Sequence, residues 1–157
     1  MVYRIERGFE YVARYRNERP KHVVLPSRKT KFSAGYDFVT PEKITLYPGV
    51  EAKILTGVKA FMLPDEYLAL HIRSSLAIKK NLMLKNCTGI IDSDYYNNQD
   101  NEGEIIGCIK NIGEDPVTIE AGDAFMQGIF CKYMMASNDV TVGKVSRVGG
   151  IGSTSNS

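Results

Sequence analysis

Four short segments of this 157-residue chain carry side chains suited to phosphate and proton chemistry. Ala34-Gly35-Tyr36-Asp37 places a carboxylate at a strand start, and Arg73-Ser74-Ser75 offers a guanidinium with two hydroxyls at a strand end. Gly89-Ile90-Ile91-Asp92-Ser93-Asp94-Tyr95 is an acidic turn between apolar segments. Arg147-Val148-Gly149-Gly150-Ile151-Gly152-Ser153-Thr154 combines glycines, whose backbone N–H groups can converge on an anion, with an arginine and two hydroxyl donors. That composition suits a polyphosphate, although without a lysine and a following helix it is not a P-loop. Taken singly, the plain structural alternatives carry more weight. Asp37 serves as a cap, Arg73 pairs with a surface carboxylate, and Asp92 with Asp94 solvates a hairpin tip.

The elements that must position these groups are short and mostly extended. Apolar runs rich in Val, Ile, Tyr and Phe recur at 9–15, 44–47, 50–58, 67–72, 103–110, 116–119 and 128–135. Between them stand Tyr47-Pro48-Gly49, Leu63-Pro64-Asp65, Gly113-Glu114-Asp115-Pro116 and Ala121-Gly122-Asp123. These are turns, because proline fixes φ and glycine permits positive φ. The pattern predicts an all-β sandwich or barrel over residues 1–142, with one short helix at Ser74 to Lys80 that a serine could cap. Residues 143–157, rich in glycine and serine and poor in apolar side chains, cannot bury enough surface to offset their ordering entropy, and are expected to form a mobile tail.

With 43% hydrophobic and 24% charged residues the chain lies near globular averages. No apolar stretch is long enough for a membrane span, and the first residues alternate charge with aromatics, so no membrane contact is expected. Cys87, Cys108 and Cys131 are odd in number and widely spaced, which points away from a disulfide framework and toward the cytoplasm. Two histidines, His22 and His71, without ligand spacing read as ordinary structural residues. Residues 1–31 carry nine Lys/Arg against three Glu, so the charge balance turns from +6 there to −4 in the remainder. The charges are scattered among Tyr, Val and Asn, and a solvated face is expected in place of a nucleic-acid surface.

In their order along the chain these segments resemble the five motifs of the homotrimeric dUTPase family, from Leu25 to Thr154. The first is Ala34-Gly35-Tyr36-Asp37-Phe38, the second Arg73-Ser74-Ser75-Leu76-Ala77, and the third runs from Asn86 through Asp92 to Tyr95. The fourth resembles Gly122-Asp123-Ala124-Phe125-Met126-Gln127, and the tail is the fifth. Four departures stand out. Ser75 replaces a glycine, and an Asn/Asp-rich patch at 97–102 lengthens the third-motif hairpin. Ala124 replaces a basic residue, and Ile151 stands where an aromatic closes over the base.

The resemblance implies a jelly-roll-like β barrel. It also implies a homotrimer whose sites draw the second and fourth motifs, the third motif and the tail from different chains. It implies hydrolysis of dUTP to dUMP and pyrophosphate by water attack at the α-phosphorus, limiting uracil in DNA and supplying dUMP for thymidylate synthesis. Asp92 would act as general base, and one Mg²⁺ would arrive with the triphosphate, with Asp37 touching its outer shell through water. Arg73, Ser74, Ser75 and Gln127 would hold the phosphates, joined on closure by Arg147, Gly152, Ser153 and Thr154. Asn86 and the backbone of Gly89 and Ile91 would read uracil. Tyr95 would lie under the deoxyribose, and Ile151 would cover the base unless Tyr96 or Phe125 takes that place.

Two rivals remain at this point. A dCTP deaminase shares the Arg-Ser-Ser segment but needs a glutamate in a Trp-Glu-Gly type segment after the hairpin. This chain has no tryptophan, and Glu102 and Glu104 are the candidates. A non-catalytic nucleotide-sensing or partner-binding trimer is the alternative from another class.

Overall fold

The computed structural model describes residues 6–140, 147 and 149–151. Eleven strands are formed among these residues: β1 (Gly8–Tyr11), β2 (Tyr36–Val39), β3 (Ile44–Leu46), β4 (Glu51–Leu55), β5 (Val58–Phe61), β6 (Glu66–Ile72), β7 (Leu82–Leu84), β8 (Gly89–Asp92), β9 (Ile106–Asn111), β10 (Val117–Ile119) and β11 (Ala124–Lys132). The helix α1 spans Ser74–Lys80, and short 3₁₀ turns span Ala13–Tyr15 and Ser93–Tyr95.

The strands pair antiparallel as a four-stranded sheet β2-β11-β6-β8, a three-stranded sheet β4-β9-β7, and the pairs β1-β5 and β10-β3. This is the jelly-roll-like, mostly β architecture expected from the sequence. Among the described residues no hydrogen-bonded ladder closes into a continuous barrel. Between the sheets lies one apolar core built from Phe38, Leu46, Ile54, Leu68, Leu70, Leu82, Leu84, Ile105, Ile109, Phe125 and Met126, all nearly inaccessible to solvent. Alternation is clear in β9, where Gly107, Ile109 and Asn111 face inward. It breaks in β11, where a register shift between Ala124 and Met126 buries Phe125 and Met126 in succession. Gly107 makes room for that bulge, since a Cβ there would lie 2.4 Å from the Phe125 ring.

The turn chemistry read from the sequence forms as expected. Val50 N–H donates to Tyr47 C=O at 3.0 Å with Gly49 at φ +78°, and Asp123 N–H donates to Glu120 C=O at 3.0 Å with Gly122 at φ +89°. Three local expectations are corrected. No serine caps α1: extended Arg73 is the N-cap residue and makes no side-chain cap bond, and the backbone N–H groups of Leu76 and Ala77 instead reach its carbonyl. The run at 9–15 ends as a strand at Tyr11, because Val12 is drawn into the core and its N–H donates to Gly57 C=O. The third-motif segment is neither a turn throughout nor part of a hairpin: strand β8 pairs with β6 and not with β9, and is followed by the 3₁₀ turn.

Candidate active site

The register of the four-stranded sheet assembles the first group of side chains. Asp37 on β2 lies opposite Gln127 on β11, and Gln127 lies opposite His71 on β6. Directly opposed residues share a face, so one side of this sheet carries all three. Arg73 follows the end of β6, its N–H donating to Phe125 C=O at 3.0 Å, and its guanidinium bonds the Asp37 carboxylate. That carboxylate is almost fully buried, where an unpaired charge would be costly, so Arg73 and Asp37 depend on each other. Gly35 permits the close approach: a Cβ there would meet Gln127 Oε1 at 2.2 Å.

Together Lys29, Ser33, Gly35, Asp37, Arg73, Ser74 and Gln127 line a pocket of about 180 Å³. Two cations against one carboxylate, with two hydroxyls and an amide, make an anion cradle. The first, second and fourth motifs thus meet in space. Ser75 does not line the cradle. Lys29 and Ser33 were not singled out from the sequence. They arrive because Ser27 bridges Asp37 backbone to backbone at 2.8 Å, and because Arg28 donates to the carbonyls of Lys31 and Ser33.

The second group forms around β8. Gly89 lies opposite Leu70 and Asp92 opposite Tyr67 on β6. A pocket of about 290 Å³ is lined by Asn86, Gly89, Ile91, Asp92, Tyr95, Arg147 and Ile151, with Leu70, Ile90 and Ile106 completing its apolar wall. It continues past Asn86 and Gly89 into a mostly apolar space of about 420 Å³. Tyr95 is buried, its hydroxyl donating to Glu104 C=O at 2.9 Å and accepting from Asn101 Nδ2 at 2.8 Å. Burial pushes its phenol pKa above the usual tyrosine value, so it stands as a neutral aromatic wall. Arg147 donates to Asp92 Oδ2 at 2.8 Å and to Asp94 Oδ1 at 3.0 Å, and its guanidinium lies 5.9 Å from the centre of the Tyr95 ring. Asp94 sits in the 3₁₀ turn, off the strand that carries Asp92. Gly152, Ser153 and Thr154 fall outside the described residues.

In one chain these two groups stay apart. Asp92 lies beside Tyr67 and Arg73 follows the far end of β6, six residues on, a separation of roughly 20 Å at strand rise. The described tail residues lie against the third motif, where Arg147 bonds the carboxylates of Asp92 and Asp94. Neither alternative cover for the base lines this pocket. Phe125 is wholly buried in the core, and Tyr96 donates to Glu10 Oε2 at 2.8 Å with its ring edge-on to Phe61. Glu102 and Glu104 are also committed elsewhere. Glu104 is buried in a two-pronged pair with Arg14 and accepts from Gly57 N–H, while Glu102 accepts from Ala13 N–H and Lys59. Neither is placed to deaminate a base. Among the described residues no group of three or more His, Cys, Asp or Glu converges as a protein cage for a metal.

Comparison with known proteins finds relatives in both sequence and fold. Residues 21–155 match the family model described as dUTPase. The deoxyuridine 5'-triphosphate nucleotidohydrolase of Lactococcus lactis is 43% identical over 148 residues, covering 94% of this chain and 97% of its own. The crystal structure of dUTPase from Streptococcus mutans superposes with a TM-score of 0.74 at 40% identity, over 83% of this chain and 99% of that one. A dUTPase of Staphylococcus bacteriophage 80alpha, determined with dUpNHpp, shares the fold with a TM-score of 0.70 at 21% identity, over 96% and 99% of the two chains. The match over residues 21–155, which spans both pockets, and the 43% identical relative place this chain in the dUTPase family.

Proposed function

We propose that the protein hydrolyses dUTP to dUMP and pyrophosphate. The observation that carries this is the convergence of Asn86, Asp92, Tyr95, Arg147 and Ile151 on one pocket, with a cationic cradle on the same sheet. Uracil enters the apolar space beside Asn86, whose amide and the Gly89 and Ile91 backbone offer donors and acceptors to the base edge. The deoxyribose rests on Tyr95, and a 2′-hydroxyl there meets the ring or loses its water. Asp92, held by Arg147, orients a water for in-line attack at the α-phosphorus and takes its proton, worth about 10²- to 10⁴-fold in rate. Arg73, Ser74 and Gln127 neutralise and position the phosphate chain.

Mg²⁺ fits this donor set. A small hard ion that keeps its waters needs only one or two carboxylates beside a polyphosphate, and Asp37 supplies one at the cradle. Bound there, the ion would neutralise phosphate charge, with Asp37 reaching it through water. The separation of cradle and nucleoside pocket along β6 supports a site completed by a second copy of the chain, within a homotrimer. Three free thiols suit the reducing cytoplasm. Pyrophosphate release from dUTP with Mg²⁺ tests this assignment. Release from dUTP far above that from UTP, dTTP or dCTP is expected; ammonia release from dCTP, or binding of dUTP without turnover, would replace it.

A further inference from the structure

We infer that Asp100, in the Asn/Asp-rich loop at 97–102, is a positioning residue that anchors the tail through Gly150 and so holds Arg147 and Ile151 over the pocket of Asp92 and Tyr95. This rests on the dUTPase reading of that pocket. Asp100 Oδ2 accepts the Gly150 N–H at 2.7 Å, a charge-assisted bond. Gly150 is itself buried, and a Cβ on it would sit 3.4 Å from the Asn101 amide, so the glycine backbone lies close on the loop. The tail is therefore fixed at two points, with Arg147 on the carboxylates of Asp92 and Asp94 and Gly150 on Asp100.

An anchor has to be stiff, and this loop is tied at each end. Buried Asn98 accepts from the N–H groups of Asp100 and Asn101 and donates to Tyr95 C=O at 2.8 Å. Asn101 donates to the Tyr95 hydroxyl and accepts from Asn98 Nδ2 and Gly103 N–H. Asn97 and Glu102 both adopt positive φ, which non-glycine residues hold only when their surroundings impose it. Here the Lys59 ammonium, on a side chain only 1% exposed, bonds both of them. The loop thus carries contacts from Gly150 through Asp100 and Asn101 to Tyr95, so the tail and the sugar wall are set by one element.

The test compares Asp100→Ala, Asp100→Asn, Arg147→Ala and the double variant Asp100→Ala/Arg147→Ala in the full chain. Two quantities are measured: kcat/KM for dUTP with Mg²⁺ in all four, and, in the variants that keep Arg147, the rate of tryptic cleavage after Arg147 in nucleotide-free protein. Asp100→Ala is expected to lower kcat/KM about three- to tenfold and to speed that cleavage by a similar factor. Asp100→Asn, which keeps an acceptor oxygen, recovers most of both. In the Arg147→Ala background the added loss shrinks to less than about twofold, because both residues act through one tail position. Since Asp100 is exposed, the melting temperature should hold within about 2 °C. Wild-type kcat/KM and cleavage in Asp100→Ala would overturn the anchor, as would losses that multiply independently in the double variant. A wild-type protein that releases no pyrophosphate from dUTP would remove the dUTPase reading instead, leaving the cleavage rates to decide the anchor separately.

Discussion

Arg147 and Asp92, 55 residues apart in the chain, meet at 2.8 Å through Nη2 and Oδ2. The pair leaves Asp92 half-exposed at the mouth of the pocket it shares with Asn86 and Tyr95 while keeping its carboxylate oriented. Asp92→Asn preserves that shape and removes the proton acceptor. Turnover of dUTP should fall by about 10²-fold or more while the dissociation constant for dUpNHpp stays within a few-fold. Near-normal turnover in that variant would strip Asp92 of the base role.

Tyr95 combines a buried ring with two hydroxyl partners, so truncation to alanine removes both packing and a polar clamp, at roughly 3 to 5 kcal/mol. The decisive quantity is therefore a ratio measured on one preparation, in which the folded fraction cancels. Tyr95→Ala should raise kcat/KM for UTP relative to dUTP. An unchanged ratio would take Tyr95 out of the sugar pocket.

Ile151 is 78% exposed at the rim of the same pocket, and an aliphatic side chain lacks the flat π-face that stacks on a base, a preference worth roughly 0.5 to 1.5 kcal/mol. Ile151→Phe should improve kcat/KM by about two- to tenfold. Tyr96→Ala, by contrast, should lower the melting temperature with little effect on kcat/KM, because its hydroxyl and ring serve Glu10 and Phe61. A drop in activity for the first variant and a matching loss for the second would reverse these assignments.

Lys29 brings a second positive charge to the cradle beside Arg73, where the fourth motif has Ala124 in place of a basic residue. Being exposed, it should contribute modestly: Lys29→Ala is expected to weaken dUTP affinity about two- to tenfold and dUMP affinity hardly at all, with the difference shrinking at high salt. Equal weakening of both nucleotides would place Lys29 away from the β- and γ-phosphates.

The parts of the site legible in the sequence were those whose chemistry is local. The run from Gly89 to Tyr95 stood out because its carboxylates and aromatic are close in sequence, although their roles came from the resemblance. Asp37 and Gln127 could be paired only by resemblance, since nothing in either segment reveals that β2 and β11 lie side by side. Lys29 was invisible for the same reason: it reaches the cradle through the Ser27–Asp37 bridge, a contact made by backbone atoms without a side-chain signature. The strand runs were legible by composition, whereas the end of the first at Tyr11 depends on Val12 finding the core, and the burial of Phe125 depends on a bulge that Gly107 makes room for across the core. Most of the lengthened connection from β8 to β9 is polar and reads as solvated filler, yet its amides are committed to one another and to Tyr95.

The two halves of the proposed site lie at opposite ends of β6, so within the homotrimer proposed above inactive subunits can complement each other. A subunit with Arg73→Ala keeps an intact nucleoside half, and one with Asp92→Asn keeps an intact phosphate half. Unfolded together in equal amounts and refolded, they should regain activity at about a quarter of the sites if assembly is random and each site joins two chains. In a cell carrying both alleles, each defect would then behave as recessive to the other, although neither gene alone encodes a working enzyme.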